Sequence, residues 1–290
     1  MLYNIFLNYY KFHILLSVIY QILFLIYFNM DNVAFCFIVK DGYEYLEKNL
    51  LKIIKFANLY IKNYRIYYVE NDSIDKTNEV LNRFKSEHNN IYGEHLKLDG
   101  KHSTDLCKNS INPNCSNRTR RLAYIRNIVL DQAKKWKECN YLFMLDLDFI
   151  DFDINELYKM FNIIKNNEYI SGIFGMSYTP KNYLYDVGAI RPLNKIINIF
   201  FKQDLVKVSS AFSGFGIYKM KCIIDNNIRY NEETNSIEHI DFNNNFENLY
   251  VYSNFRPIYG GQEVVRTYCI IILLIIFIIM LVIYFNKKIK

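Results

Sequence analysis

Proline and glycine are scarce, at 4 and 10 of 290 residues, and tryptophan occurs once, at position 136. A chain so poor in both is neither collagen-like nor a low-complexity or linker-rich sequence. With 51% hydrophobic residues it is not a disordered one either. No two of the six cysteines (Cys36, Cys107, Cys115, Cys139, Cys222, Cys269) stand in CxxC spacing, which argues against a zinc ribbon. Basic excess is also missing where it would matter. The formal charge is +6, but Lys11, Lys287, Lys288 and Lys290 and no acid lie in the terminal segments, so an excess of two remains between residues 31 and 266. Nucleic-acid binding wants a strong basic field, and the middle of the chain lacks one.

Long apolar runs are present, at the ends. Every residue from Tyr268 to Phe285 is apolar. As a helix this run spans about 27 Å, close to the ~30 Å hydrocarbon core of a bilayer. A second run, Phe12–Phe28, is interrupted by His13, Ser17 and Gln21 and has no small-residue cleavage site before Met30, so it reads as an uncleaved anchor. Basic flanks at Lys11 and at Lys287–Lys290 place both ends in the cytosol and the middle in a lumen. The terminal KKIK is either a dilysine retrieval signal of the endoplasmic reticulum or an ordinary basic flank. The expected organisation is an N-terminal anchor (1–30), one catalytic domain (31–266), a C-terminal transmembrane helix (267–286) and a basic cytosolic tail (287–290). The expected location is a membrane of the endoplasmic reticulum or Golgi, with a lumenal domain. Cys107 and Cys115, flanking a polar loop, would close a small disulfide there.

Between the ends, apolar strands alternate with amphipathic helices. Val33–Val39 is a continuous apolar run, as in a strand covered on both faces. A helix over 43–58 presents Leu46, Leu50, Ile53, Ile54 and Ala57, and Arg65–Val69 is a second strand. Ser73 is an expected N-cap, with Val80, Leu81 and Phe84 facing inward behind it. A polar loop over 100–118 precedes a helix over 119–136, striped by Leu122, Ile125, Val129, Ala133 and Trp136. Tyr141–Leu147 is a further strand. This order predicts an α/β, doubly wound, mostly parallel sheet, which binds ligands outside the carboxyl ends of its strands.

Polar motifs fall at those ends. Glu70-Asn71-Asp72-Ser73-Ile74-Asp75 follows the second strand, where short acceptors can read a nucleoside's base and ribose; for Ser73 and Asp75, helix capping is an equal reading. Asp146-Leu147-Asp148 follows an apolar strand. Residues two apart on a strand share a face, and two adjacent carboxylates are costly without a cation. Hard oxygen ligands fit Mn²⁺ or Mg²⁺. Asp151 and Asp153 suit a turn that caps the following helix. In the run from Arg118 to Asn127, which includes Arg121, Arg126 lies at the edge of the buried stripe and wants an anion. That anion is either a diphosphate or an acid of the sheet; Arg120 points away, toward solvent. In Glu238-His239-Ile240-Asp241, His239 can complete a metal shell and Glu238 or Asp241 can act as a base; a plain polar loop is the other reading.

Taken in order, the apolar strand, ENDSIDKT, RRLAYIRN and YLFMLDLD resemble the nucleotide-sugar half of the GT-A (Rossmann-like) glycosyltransferase fold, from about Val33 to Asp148. YDVGAIR (185–191), SSAFSGFGIYK (209–219) and IEHIDFN (237–243) are similar to stretches of the cryptococcal capsule-associated α-1,3-mannosyltransferase family and related viral or microbial transferases. Gly188 stands where a bulkier residue is expected. The resemblance implies a glycosyltransferase moving a hexose, mannose among the candidates, from a nucleotide-sugar donor to a hydroxyl of a glycan or protein acceptor. It implies Asp148, Asp146 and His239 at an Mn²⁺ or Mg²⁺ ion. Glu70, Asp72, Asp75, Arg121, Arg126, Asn127 and Asp146 would bind the nucleotide and diphosphate, and Asp186, Glu238 and Asp241 would serve catalysis. A nucleotidyltransferase on a similar sheet, or a non-catalytic membrane scaffold, are the alternative readings.

Overall fold

The computed structural model describes residues 31–98, 116–200, 203–234 and 236–260. Both apolar terminal runs, Cys107, Cys115 and Cys269 lie outside the described residues. Among those described, no helix is long and apolar enough to cross a membrane. Cys36, Cys139 and Cys222 are free thiols.

The strands are β1 (Asn32–Val39), β2 (Asn63–Asn71), β3 (Ile91–Leu96), β4 (Tyr141–Leu145), β5 (Phe149–Asp151), β6 (Gly172–Phe174), β7 (Leu205–Val208), β8 (Phe215–Lys219), β9 (Leu249–Tyr252) and β10 (Ile258–Tyr259). The helices are α1 (Tyr43–Tyr60), α2 (Thr77–Glu87), α3 (Ser116–Lys135), α4 (Ile154–Asn166), α5 (Lys195–Phe200), α6 (Met220–Asp225) and α7 (Glu238–Asn243). Eight strands form one sheet in the order β3-β2-β1-β4-β8-β6-β9-β7, and β5 pairs with β10.

The first half is parallel as expected: β1 pairs in register with both β2 and β4, and β2 with β3. The second half is not. β8 runs antiparallel to β4 and to β6, and β7 antiparallel to β9. The sheet is therefore mixed, and the expectation of a mostly parallel one holds for its first four strands. The reversal has a use. It brings the start of β8 to the same sheet edge as the carboxyl ends of β1, β2 and β4.

Alternation along β1 explains its unbroken apolarity. Val33, Phe35 and Phe37 belong to the core under α1, α2 and α4, while Ala34 and Cys36 belong to the core under α3. The small residues let α3 approach closely enough for the Cys36 thiol to reach the Val129 carbonyl at 3.6 Å. The large ones pack on rings, with Phe35 and Phe143 centroids 4.7 Å apart. Leu46, Leu50 and Ile53 of α1 are fully buried, each contributing about 1.5–3 kcal/mol of transfer free energy.

Three local expectations are corrected. Strand β4 ends at Leu145, so Asp146 opens a loop and does not continue the strand. Ser73 is not an N-cap: α2 starts at Thr77, and the Ser73 hydroxyl accepts a bond from the Asp41 N–H at 2.9 Å. Arg120 is not simply solvated; its Nε donates to the Thr234 carbonyl at 3.2 Å. Asp153 does cap α4, accepting from the Asn155 and Glu156 N–H groups, and Asp151 pairs with Lys52.

Candidate active site

At the carboxyl edge of the first strands, two loops lock each other. Asp41 Oδ1 accepts the Ile74 N–H, and the Gly42 and Tyr43 N–H groups donate to Thr77 Oγ1 and Asp75 Oδ2. The other Asp75 oxygen accepts the Thr77 N–H. Burial pushes the Asp75 carboxyl up, but these bonds outweigh it and the net shift is downward. Glu70 is equally committed, to the Ser73 N–H at 2.7 Å and to His95 Nδ1 at 3.0 Å. Both acids were expected at the nucleotide; here they brace the walls. Asp72, in a left-handed conformation (φ 54°), accepts the Leu98 N–H and lies in the field of Arg121. Burial and the neighbouring Arg118 hold the Arg121 guanidinium below its ordinary value.

A short step along the edge, the loop after β4 is held from two sides. Its own Asp146 N–H donates to the Gly214 carbonyl at 2.8 Å. Gly214 has φ +79°, and a Cβ there would stand 2.7 Å from the Phe149 ring. From below, Asn49 of α1 donates to the Leu147 and Phe149 carbonyls at 2.9 and 2.8 Å, and Lys48 and Lys52 to those of Ile150 and Phe152. Asn49 is completely buried, although it sits in the apolar face of its helix. That misfit of a polar residue in an apolar stripe is a signal the sequence carried and that stripe-reading passes over.

The acids on this loop are under strain of charge. Asp148 Oδ1 is buried without a hydrogen-bond partner. Burial first, and then the Asp146 carboxylate, push the Asp148 pKa up to about 7; the neighbouring Tyr259 hydroxyl pulls the other way. Asp146 receives Arg126 Nη2 at 2.9 Å. Arg126 Nε also lies 3.5 Å from Glu238 Oε1, and Nη1 has no hydrogen-bond partner. Burial alone would lower the arginine's pKa, but Asp146 first, then Tyr230 and Glu238, hold it well above its ordinary value. Of the two anions weighed for Arg126, the structure supplies the protein's own acids.

The second-half motifs converge on this point. Ser209–Ser210 and Arg191 exchange backbone bonds, and Asn243 donates to Ser210 Oγ and the Ala211 carbonyl. Ser213 Oγ donates to the Tyr185 carbonyl and accepts the Ser177 N–H. Asp186, left-handed at φ 50°, is pushed well up by burial and then by Glu238 and Asp146, against Arg118 and Arg126. Glu238 is also pushed up, by burial, with Arg126 opposing. His239 stacks on Phe212 with centroids 3.4 Å apart, and its Nδ1 lies 3.3 Å from the Tyr230 hydroxyl. Burial, then Arg126, push its pKa well down, so it is neutral.

Thus Asp146, Asp148, Asp186, Glu238, Arg126 and His239 are brought together. Two expected residues are not free to join them. Asn127 clamps Tyr230, donating to its carbonyl and accepting its N–H, and also donates to Glu232. Asp241 is turned to Thr234 Oγ1 and Asn231. Sequence reasoning missed Asn49 and the stacked pair Tyr185–Tyr259.

No three His, Cys, Asp or Glu side chains form a preformed cage among the described residues. A site of one or two carboxylates is nonetheless what Mn²⁺ or Mg²⁺ uses when phosphates complete its shell. The orphaned Asp148 oxygen beside Asp146 fits that pattern, whereas His239, stacked and deep, is a poorer donor.

No protein-family model matches the sequence, and no curated protein matches it. Solved structures do. S. aureus TarS 1–349 aligns with TM-score 0.50 and 14% identity over 78% of this chain and 60% of that one; its complex with UDP gives 0.50, 15%, 78% and 59%. A mannosyltransferase from Pyrobaculum calidifontis, in complex with GDP-Man and Mn²⁺, aligns with TM-score 0.51 and 9% identity over 80% of this chain and 58% of that one. The chain therefore spans about three-fifths of each of these three solved chains. At these identities the likeness is one of architecture, and what it establishes is a mixed α/β, GT-A-like fold.

Proposed function

We propose that this chain is a metal-dependent glycosyltransferase that moves a sugar from a nucleotide-activated donor to an acceptor hydroxyl. The observation that carries the reading is the Asp146–Asp148 pair, aimed from the carboxyl end of β4 with one buried oxygen unpartnered. A protein keeps such a charge without a partner when a ligand provides one. Asp148 and Asp146 would hold the divalent ion, with Asp72 and Arg121 at the nucleoside side. When bound, the ion supplies the positive charge that offsets the negative charge growing on the departing nucleoside diphosphate.

The chain's own groups do the rest. Arg126 holds Asp146 in place through the bond from its Nη2. In an inverting transfer the acceptor's proton would go to a carboxyl of this cluster, Asp186 or Glu238. The fold's appearance in a mannosyltransferase with GDP-Man makes a hexose such as mannose the first donor to try. The sequence resemblance to the cryptococcal mannosyltransferases points the same way. The terminal apolar runs support a membrane-attached protein with a lumenal domain, acting on a glycan or protein acceptor.

The test is calorimetry of UDP and GDP binding with and without Mn²⁺, alongside hydrolysis of a panel of nucleotide sugars. We expect Mn²⁺-dependent binding that Asp148→Ala abolishes. Wild-type protein that binds neither nucleotide with Mn²⁺ present would sink the reading.

A further inference from the structure

Arg126, on α3, is 3% exposed, yet its Nε and Nη1 have no hydrogen-bond partner. Nη2 donates to Asp146 at 2.9 Å, and Nε pairs with Glu238 from 3.5 Å. A buried guanidinium with so few bonds requires a further partner. It has one in Phe212: the guanidinium carbon lies over that ring, 5.1 Å from the centroid. An aromatic face attracts a cation, most strongly where water is excluded, and Phe212 is 2% exposed.

The ring is itself fixed. His239 lies flat on it, with centroids 3.4 Å apart and planes 16° from parallel. Tyr230 stands edge-on to His239 at 5.4 Å, and its own ring is stacked on Phe242 at 4.1 Å. Asn127 clamps the Tyr230 backbone from α3. The two residues after Phe212 each hold another loop of the site. Ser213 bonds the Tyr185 carbonyl beside Asp186, and the Gly214 carbonyl accepts the Asp146 N–H.

We propose, resting on the metal reading of Asp146 and Asp148 given above, that Phe212 is a positioning residue: its ring, backed by His239, holds the Arg126 guanidinium where it grips Asp146. Arginine has four side-chain torsions, and a single hydrogen bond leaves several of them free. A fixed aromatic face removes that freedom before the ion arrives. Loss of the groups that orient a ligating carboxylate typically costs about 10–100-fold in metal affinity.

The experiment compares wild type, Phe212→Leu and a chain carrying pentafluorophenylalanine at position 212, each at full length. Mn²⁺ is titrated alone and with UDP or GDP, free Mn²⁺ is counted by electron paramagnetic resonance, and melting is followed in parallel. Fluorination keeps a flat ring for His239 to stack on but reverses the charge on its face, so it repels the guanidinium. We expect both substituted chains to bind Mn²⁺ at least about tenfold more weakly than wild type. If the fluorinated chain binds Mn²⁺ like wild type, whether or not Phe212→Leu does, Phe212 acts by packing alone and the inference is overturned. If wild type binds no Mn²⁺ under any condition, the metal reading itself falls, and the inference with it.

Discussion

The two ends of the cleft treat their polar groups in opposite ways. Around Asp41, Glu70 and Asp75, every carboxylate accepts a backbone N–H of these two loops, and the Asp75 carboxyl is held down. Around Asp146, Asp148, Asp186 and Glu238, one deeply buried arginine pairs with two of the four acids, and Asp148, Asp186 and Glu238 are all pushed up. The first arrangement is what stability alone would select. The second is costly without a ligand, which makes it the half where chemistry is to be sought.

The comparison breaks most sharply at Arg126. Arg126→Ala leaves Asp146 and Glu238 without their cation, and we expect a loss of about 3–5 kcal/mol in urea unfolding. A loss below 1 kcal/mol would mean that the acids do not depend on it. Next comes Asn49. Asn49→Ala strips two carbonyls of their donor, for about 1–3 kcal/mol, and loosens the Asp148 loop. The smallest effect is the most diagnostic, because its sign differs between the halves. The folded-state pKa of Asp148, near 7 against 3.8 unfolded, means that its contribution is fully present below about pH 4 and is lost as pH rises toward 7 in the metal-free protein. Asp75 is lowered, so its contribution is present above its unfolded value and is lost as pH falls through its folded one. Unfolding measured from pH 3 to 8 should lose the near-neutral decline in Asp148→Asn and the acid-side loss in Asp75→Asn. Unchanged profiles in both would remove the contrast.

Much of this was legible in the sequence. The unbroken apolar run of β1, the stripe of α1 and the apolar lead-in to Asp146-Leu147-Asp148 gave the first half of the sheet and its edge. The acids of the ENDSID stretch were legible as a cluster but not as a brace, because Glu70, Asp72 and Asp75 bond the backbone N–H groups of Ser73, Leu98 and Tyr43, and a backbone amide leaves no mark in composition. The partners of Arg126 were narrowed to two kinds of anion, and only the fold could choose. The reversal at β8 was invisible for a different reason. Phe215–Lys219 is five residues long and buried on both faces, so neither its length nor its pattern states a direction.

Gly214 gives the site a genetic consequence. Every missense change at that codon introduces a Cβ, and the backbone there is both left-handed and pressed against Phe149. The carbonyl of the same residue holds Asp146. Position 214 thus tolerates one letter of the alphabet, and a random mutational library should mark it as intolerant although its side chain does nothing.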